Sequence, residues 1–80
     1  MPLMPLMARM AAVRYGVVSD FDEAVGLGTV TAEDGQRFSF HCTEIADGSR
    51  TIDQGTPVEF RVVAGHLGRF EAAGLRRCSG

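Results

Sequence analysis

From Val13 onward the chain alternates short apolar runs with clusters of turn-forming residues, the signature of successive β-strands. Residues 13–21, V-R-Y-G-V-V-S-D-F, are rich in β-favouring side chains and run into an acidic group of Asp20, Asp22 and Glu23. Residues 25–31, V-G-L-G-T-V-T, form a second predicted strand, closed by the turn A-E-D-G-Q, in which Gly35 is suited to positive φ. The third, residues 37–41, has a clean period of two. Phe38 and Phe40 share one face and Arg37, Ser39 and His41 the other, so the aromatics are expected to point inward. Residues 42–57 are too polar and turn-rich for a regular strand; Asp47-Gly48 and Gln54-Gly55 mark reversals, and one short helical turn is expected near 43–45. Alternation returns over 58–63, where Val58, Phe60 and Val62 oppose Glu59, Arg61 and Val63. Gly65 and Gly68 bracket a turn through His66 and Leu67, a fifth strand is predicted over 69–75, and the chain is expected to fray from Arg76 on.

Five short strands with one longer connection between the third and fourth predict an all-β architecture, a five-stranded antiparallel barrel of the OB type. At 80 residues the chain makes one domain with a limited core. The expected division is a flexible N-terminal extension over 1–12, the barrel over 13–77 and a tail over 78–80. The extension repeats M-P-L and places methionines at 1, 4, 7 and 10. It lacks a basic region ahead of its apolar residues, and Pro2 and Pro5 interrupt it, so neither a signal peptide nor a membrane span is predicted. Two readings stay open for it: a poorly ordered end, or an apolar tail that docks Leu3, Leu6 and the methionines on a neighbouring surface.

Charge narrows the function classes. All eight basic residues are arginine, ten acids outweigh them, and the net charge is −2, so any cationic surface must come from local grouping. Two cysteines, Cys42 and Cys78, allow at most one bridge, which points to a reducing, cytoplasmic setting. His41, Cys42, His66 and Cys78 lack the paired spacing of a metal site, and no cofactor is expected. Adjacent His41 and Cys42 point to opposite faces unless the strand ends between them, and the acids have no partnered histidine, so no enzymatic activity is expected. V-G-L-G-T-V is no phosphate loop either, because no Lys-Ser or Lys-Thr and no helix pattern follow it.

The strand order and several motifs resemble the bacterial cold-shock domain over residues 15–77. Y-G-V-V-S-D-F-D is similar to that family's K-G-T-V-K-W-F-N. V-G-L-G-T-V resembles its first ribonucleoprotein motif, K-G-F-G-F-I, and R-F-S-F-H-C-T-E-I resembles the second with its flank, D-V-F-V-H-F-S-A-I. D-G-S-R-T-I-D-Q-G-T-P-V-E-F-R-V-V is similar to D-G-F-K-T-L-E-E-G-Q-K-V-E-F-E-V-V without a gap.

The resemblance implies an OB barrel that binds single-stranded RNA or DNA on an aromatic platform with cations nearby. Carried over position by position, the platform is reduced. Asp20 stands for the family's tryptophan; Leu27, Thr29, Ser39, Cys42 and Ser49 stand for aromatics; Val25 stands for a lysine; Phe21 and His41 keep the family's residue type. The candidate nucleic-acid-binding residues are thus Phe21, His41, Leu27, Thr29 and Tyr15, with Arg14, Arg37 and Arg50 for phosphates; Phe70, like Tyr15, could rebuild part of the platform, and Arg69 could join the phosphate contacts. Each has a plainer reading beside it: Phe21 packing at the barrel rim, His41 an exposed strand residue, Tyr15 and Phe70 covering barrel ends, the arginines solvated or paired with acids such as Asp22 and Glu71. The expected function is weak single-stranded nucleic-acid binding, with RNA-chaperone action as the role. The alternative is a protein-interaction or self-association module without nucleic-acid binding; no membrane partner is expected.

Overall fold

The computed structural model describes residues 13–65 and 68–78. Its strands are β1 (Arg14–Asp22), β2 (Leu27–Ala32), β3 (Arg37–His41), β4 (Pro57–Ala64) and β5 (Phe70–Arg77), with a 3₁₀ turn at Cys42–Glu44 directly after β3. They close into one barrel in the order β1-β2-β3-β5-β4. The β1–β2, β2–β3, β1–β4 and β4–β5 pairs are antiparallel. The five-stranded, mostly antiparallel OB-type barrel is as expected; its one parallel contact is where β3 and β5 close it, at Ser39 and Glu71. Expectations for residues 1–12, for the turn through His66 and Leu67 and for residues 79–80 lie outside the described residues.

Apolar alternation fills the interior as predicted. Val18, Val30, Phe38, Phe40, Val58, Phe60, Ala72 and Leu75 are buried from all five strands, and Ile45 and Ile52 join them from the long connection. Two phenylalanines on so short a strand need room, and small neighbours provide it. A Cβ on Gly28 would sit 2.5 Å from Phe40 Cζ and 2.7 Å from the Asp20 carbonyl oxygen, so the absent side chain is where the Phe40 ring lies. Phe38 meets Phe60 in a tilted pair with centroids 5.9 Å apart.

Boundaries shift for identifiable reasons. β2 begins at Leu27 because Val25 and Gly26 belong to the turn after β1: Gly26 takes φ 73°, donates its N–H to the Asp22 carbonyl and accepts from the Cys42 N–H. The helical turn starts at Cys42, one residue early, because the His41 side chain caps it. β5 does not fray at Arg76. Arg76 and Arg77 pair with Glu59 and Val58, and Arg77 bonds the Asp47 carboxylate and the Thr51 carbonyl, tying the strand to the long connection. Among the described residues no helix is long and apolar enough to cross a membrane.

Candidate functional site

The geometry of the β1–β2–β3 face is set by one irregularity. The β1–β2 register shifts between Val18 and Asp20, a bulge at Ser19 that breaks the strict alternation. Val18 points inward, and beyond the bulge Asp20 points outward and Phe21 inward. Ser19 stabilises the irregular backbone: its hydroxyl donates to the Thr29 carbonyl (3.2 Å), accepts from Thr31 Oγ1 (3.0 Å), and its carbonyl accepts from Gln54 Nε2 (3.0 Å).

Cross-strand register then generates a grid. The outer face carries three rows: Asp22–Leu27–His41, Asp20–Thr29–Ser39 and Val17–Thr31–Arg37. Between them lie the inward rows Phe21–Gly28–Phe40 and Val18–Val30–Phe38. The face is therefore acidic along β1, small and partly apolar along β2, and cationic or neutral along β3. Leu27 is 49% exposed, an outward leucine without a packing partner inside the barrel.

His41 ends its strand with a fixed ring. The Thr43 N–H donates to Nδ1 (3.3 Å) and Thr43 Oγ1 lies 3.1 Å from the same atom, which assigns the neutral ring's proton to Nε2, the nitrogen left free for a ligand. The strand does end between His41 and Cys42, so the two side chains are not on opposite faces, and Cys42 Sγ lies 3.9 Å from Nδ1. With the Thr43 N–H on that lone pair, the ring is not placed to take the thiol proton. Past His41, Arg50 lines a shallow depression with Cys42, Thr43, Ile45, Gly48 and Ser49. Asp47 in this connection accepts from the Ser49 N–H (2.9 Å); that bond and the Ser49 hydroxyl, with a lesser contribution from the Arg77 guanidinium, hold its carboxyl below the ordinary value against the opposing effect of burial.

The structure brings together Leu27, Thr29, His41 and Arg37 on one face, with Arg50 beyond its His41 end. Other candidates lie elsewhere. Phe21 is turned to the inner side, half-buried and stacked on Phe40, with centroids 5.9 Å apart and planes 12° from parallel. Tyr15 is outward and 49% exposed, so it does not cover a barrel end. It lies roughly 20 Å from the Asp22 row at about 3.3 Å per strand residue, in an apolar groove with Val17, Ala32 and Pro57. Arg14 pairs with Asp34 at 2.8 Å and sits 5.4 Å over the Phe38 ring at the open end of the barrel. The expected partners Asp22 and Glu71 are not used by the arginines: Asp22 accepts from the Ala24 N–H, and Glu71 packs its side chain over Gly65.

Residues that the sequence offers only as separate candidates meet in one groove. At the β3–β5 seam, Arg14, Arg37, Arg69 and Phe70 line a groove of about 640 Å³ together with Gln36, Phe38, Ser39 and Val62. Phe70, 63% exposed, stands at the mouth of this groove. Strand periodicity carries no signal for this grouping, because it follows from the parallel closure.

Comparisons with known proteins agree with this fold. Residues 14–77 match the family described as the 'Cold-shock' DNA-binding domain. Among solved structures, the Drosophila Unr CSD456 chain is similar with a TM-score of 0.71 and 30% identity over 85% of this chain, which spans 27% of that longer chain. No curated protein sequence matches.

Proposed function

The chain belongs to the cold-shock DNA-binding domain family, whose domains bind nucleic acid, and from that membership we propose that it binds single-stranded RNA or DNA weakly, on the β2–β3 side of its outer face. The observation that carries the proposal is the layout of the grid: exposed Leu27 and His41 and half-exposed Thr29 form a continuous shelf, Arg37 and Arg50 flank it, and within β1–β3 the outward carboxylates are those of β1. Bases lie against Leu27 and Thr29 and stack on or accept from the His41 ring. The guanidiniums take phosphates. Phe21 supports the shelf from below through Phe40, and Tyr15 and Arg14 lie outside the shelf.

Weakness follows from chemistry. Stacking on an aromatic side chain contributes about 1–3 kcal/mol per base, and Leu27, Thr29 and Ser39 offer no ring. Asp20 and Asp22 repel phosphate along one edge. Such short-lived, sequence-tolerant contact suits RNA-chaperone action in the cytoplasm, a location in keeping with two unbridged thiols. No catalytic step is proposed for a domain of this family.

The test is fluorescence anisotropy of a labelled oligopyrimidine at low and at physiological salt. Micromolar binding that weakens with salt supports the proposal, and absence of binding at low salt refutes it. A second reading, a protein-interaction or self-association surface, draws on the apolar groove around Tyr15, Val17 and Pro57. Sedimentation velocity showing a dimer that Tyr15→Glu dissociates supports it, and a monomer at all concentrations removes self-association.

A further inference from the structure

We propose that the groove at the β3–β5 seam is a nucleotide-binding site, with Phe70 as the stacking residue and Arg37 and Arg69 as the phosphate ligands. The inference rests on the single-stranded nucleic-acid reading and locates its strongest contact away from the β1–β2 platform.

Topology builds the site. The parallel closure is made at one pair, Ser39 with Glu71, and no ladder pairing continues to residues 37–38 and 69–70. Continuing that register sets Arg37 beside Arg69 and Phe38 beside Phe70, with the strands parted between them. Phe38 belongs to the core, covered by Phe60 and Arg14. Phe70, at the same level on β5, is left with its ring 63% exposed. An aromatic ring at the mouth of a groove, with no aromatic partner among the described residues, presents a face of the kind on which a base stacks.

Charge selects the ligand. Three guanidiniums line the groove, and among the described residues one carboxylate, that of Asp34, pairs with one of them, Arg14. Arg37 and Arg69 have no ion-pair partner among the described residues, and Glu71, the acid nearest in sequence, carries its side chain over Gly65. The groove therefore keeps an excess of positive charge, offset in part by Glu71 beside Ser39, in a protein that is acidic as a whole, a local grouping that attracts an anion. Gln36 and Ser39 add neutral donors and acceptors at its wall. Its 640 Å³ falls within the range that holds a small ligand such as a nucleotide. Anion, flat ring and neighbouring polar groups together describe a nucleotide unit more closely than a carboxylate side chain, which would leave Phe70 unused.

Arg37 belongs to both surfaces, at the end of the outer grid and at the edge of the groove. A strand bound in the groove thus continues onto the shelf of Thr29, Leu27 and His41 without crossing the Asp20–Asp22 edge.

The test compares wild type with Phe70→Ala, Arg69→Gln and, on the shelf, Leu27→Ala, using a labelled hexauridylate in anisotropy at low salt. Thermal melts establish that each variant is folded; all three side chains are exposed, so little change is expected. Phe70→Ala is expected to weaken binding at least fivefold and Arg69→Gln to weaken it and flatten its salt dependence, with the larger loss in the groove variants. Amide shift changes on adding uridylate dinucleotide are expected at residues 37–39 and 69–71. If wild type binds but Phe70→Ala binds equally well, and the shifts fall on Leu27 and Thr29 alone, the groove is not the site while the nucleic-acid reading stands. If wild type does not bind, both fall. Binding of hexaglutamate as tight as that of the oligonucleotide, with no loss in Phe70→Ala, would mark the groove as a general acidic-ligand surface and overturn the assignment.

Discussion

Phe21→Ala separates packing from ligand contact at the one aromatic that the bulge turns inward. The Phe21 ring is half-buried and stacked on Phe40, itself 2% exposed. Truncating a fully buried phenylalanine costs about 3–5 kcal/mol; at half burial the same change is expected to cost about 2 kcal/mol, including the lost ring–ring contact. For a domain of this size 1 kcal/mol corresponds to about 4–8 °C in Tm, so the variant should melt roughly 8–16 °C below wild type. Circular dichroism measures the melt, and anisotropy below both midpoints measures binding by the folded fraction. The expected result is a large fall in Tm with oligonucleotide affinity nearly intact. His41→Ala is the reciprocal control: losing its cap on the 3₁₀ turn is expected to cost about 1 kcal/mol, less than Phe21→Ala, while affinity falls. A Phe21→Ala protein that melts like wild type but loses binding would refute the inward placement and return the ring to the ligand.

Gly28→Ala places a methyl against the Phe40 ring and the Asp20 carbonyl and should destabilise by about 1–3 kcal/mol, read as a lower urea midpoint with an unchanged m-value. Leu27→Phe with Thr29→Phe restores two rings on the outer face and should tighten oligonucleotide binding by about 1–3 kcal/mol for each base newly stacked, measured by anisotropy; unchanged affinity would mean that bases do not reach this shelf. Asp47 has its folded pKa held below the ordinary 3.8 by the Ser49 N–H, the Ser49 hydroxyl and Arg77, so its stabilising effect is present above about pH 3.8 and is lost as pH falls through the lowered value. Melts from pH 6 to pH 2 should show an Asp47→Asn deficit that shrinks at the acid end, and a pH-independent deficit would contradict the linkage.

Period-two alternation was enough to orient β3 and β4, because their inward residues are the large apolar ones and a one-residue slip would bury Arg37 or Glu59. The same rule fails on β1. Val18 and Phe21 both face the interior although an odd number of steps separates them, and only the extra residue at Ser19 reconciles them. That bulge depends on hydrogen bonds to Thr29, Thr31 and Gln54, residues 10 to 35 positions away, so no local window contains it. It also decides which of two adjacent residues, Asp20 or Phe21, joins the outer face. The resemblance to cold-shock motifs located the shelf but left the orientation of Phe21 open between ligand and core. The seam groove was hidden for a related reason: Arg37 and Phe70 are 33 residues apart in sequence, and they meet through a parallel pairing that alternation cannot announce.

The bulge and the seam together give the face its polarity. By turning Asp20 outward next to Asp22, the bulge sets two carboxylates on the β1 edge, where the family's stacking aromatic would otherwise begin the track. By setting Arg37 beside Arg69, the seam places positive charge on the opposite edge. A net charge of −2 therefore conceals a gradient across four strands, about 14 Å at an interstrand spacing of about 4.8 Å. That distance is about one and a half Debye lengths at 0.1 M salt, so the gradient acts most strongly at lower salt, where a polyanion close to the face is pushed from β1 toward β5. The exposed ring of Phe70 lies on the cationic edge. The charge gradient and the exposed ring of Phe70 thus fall on the same edge, while Tyr15, the other exposed ring, lies on β1.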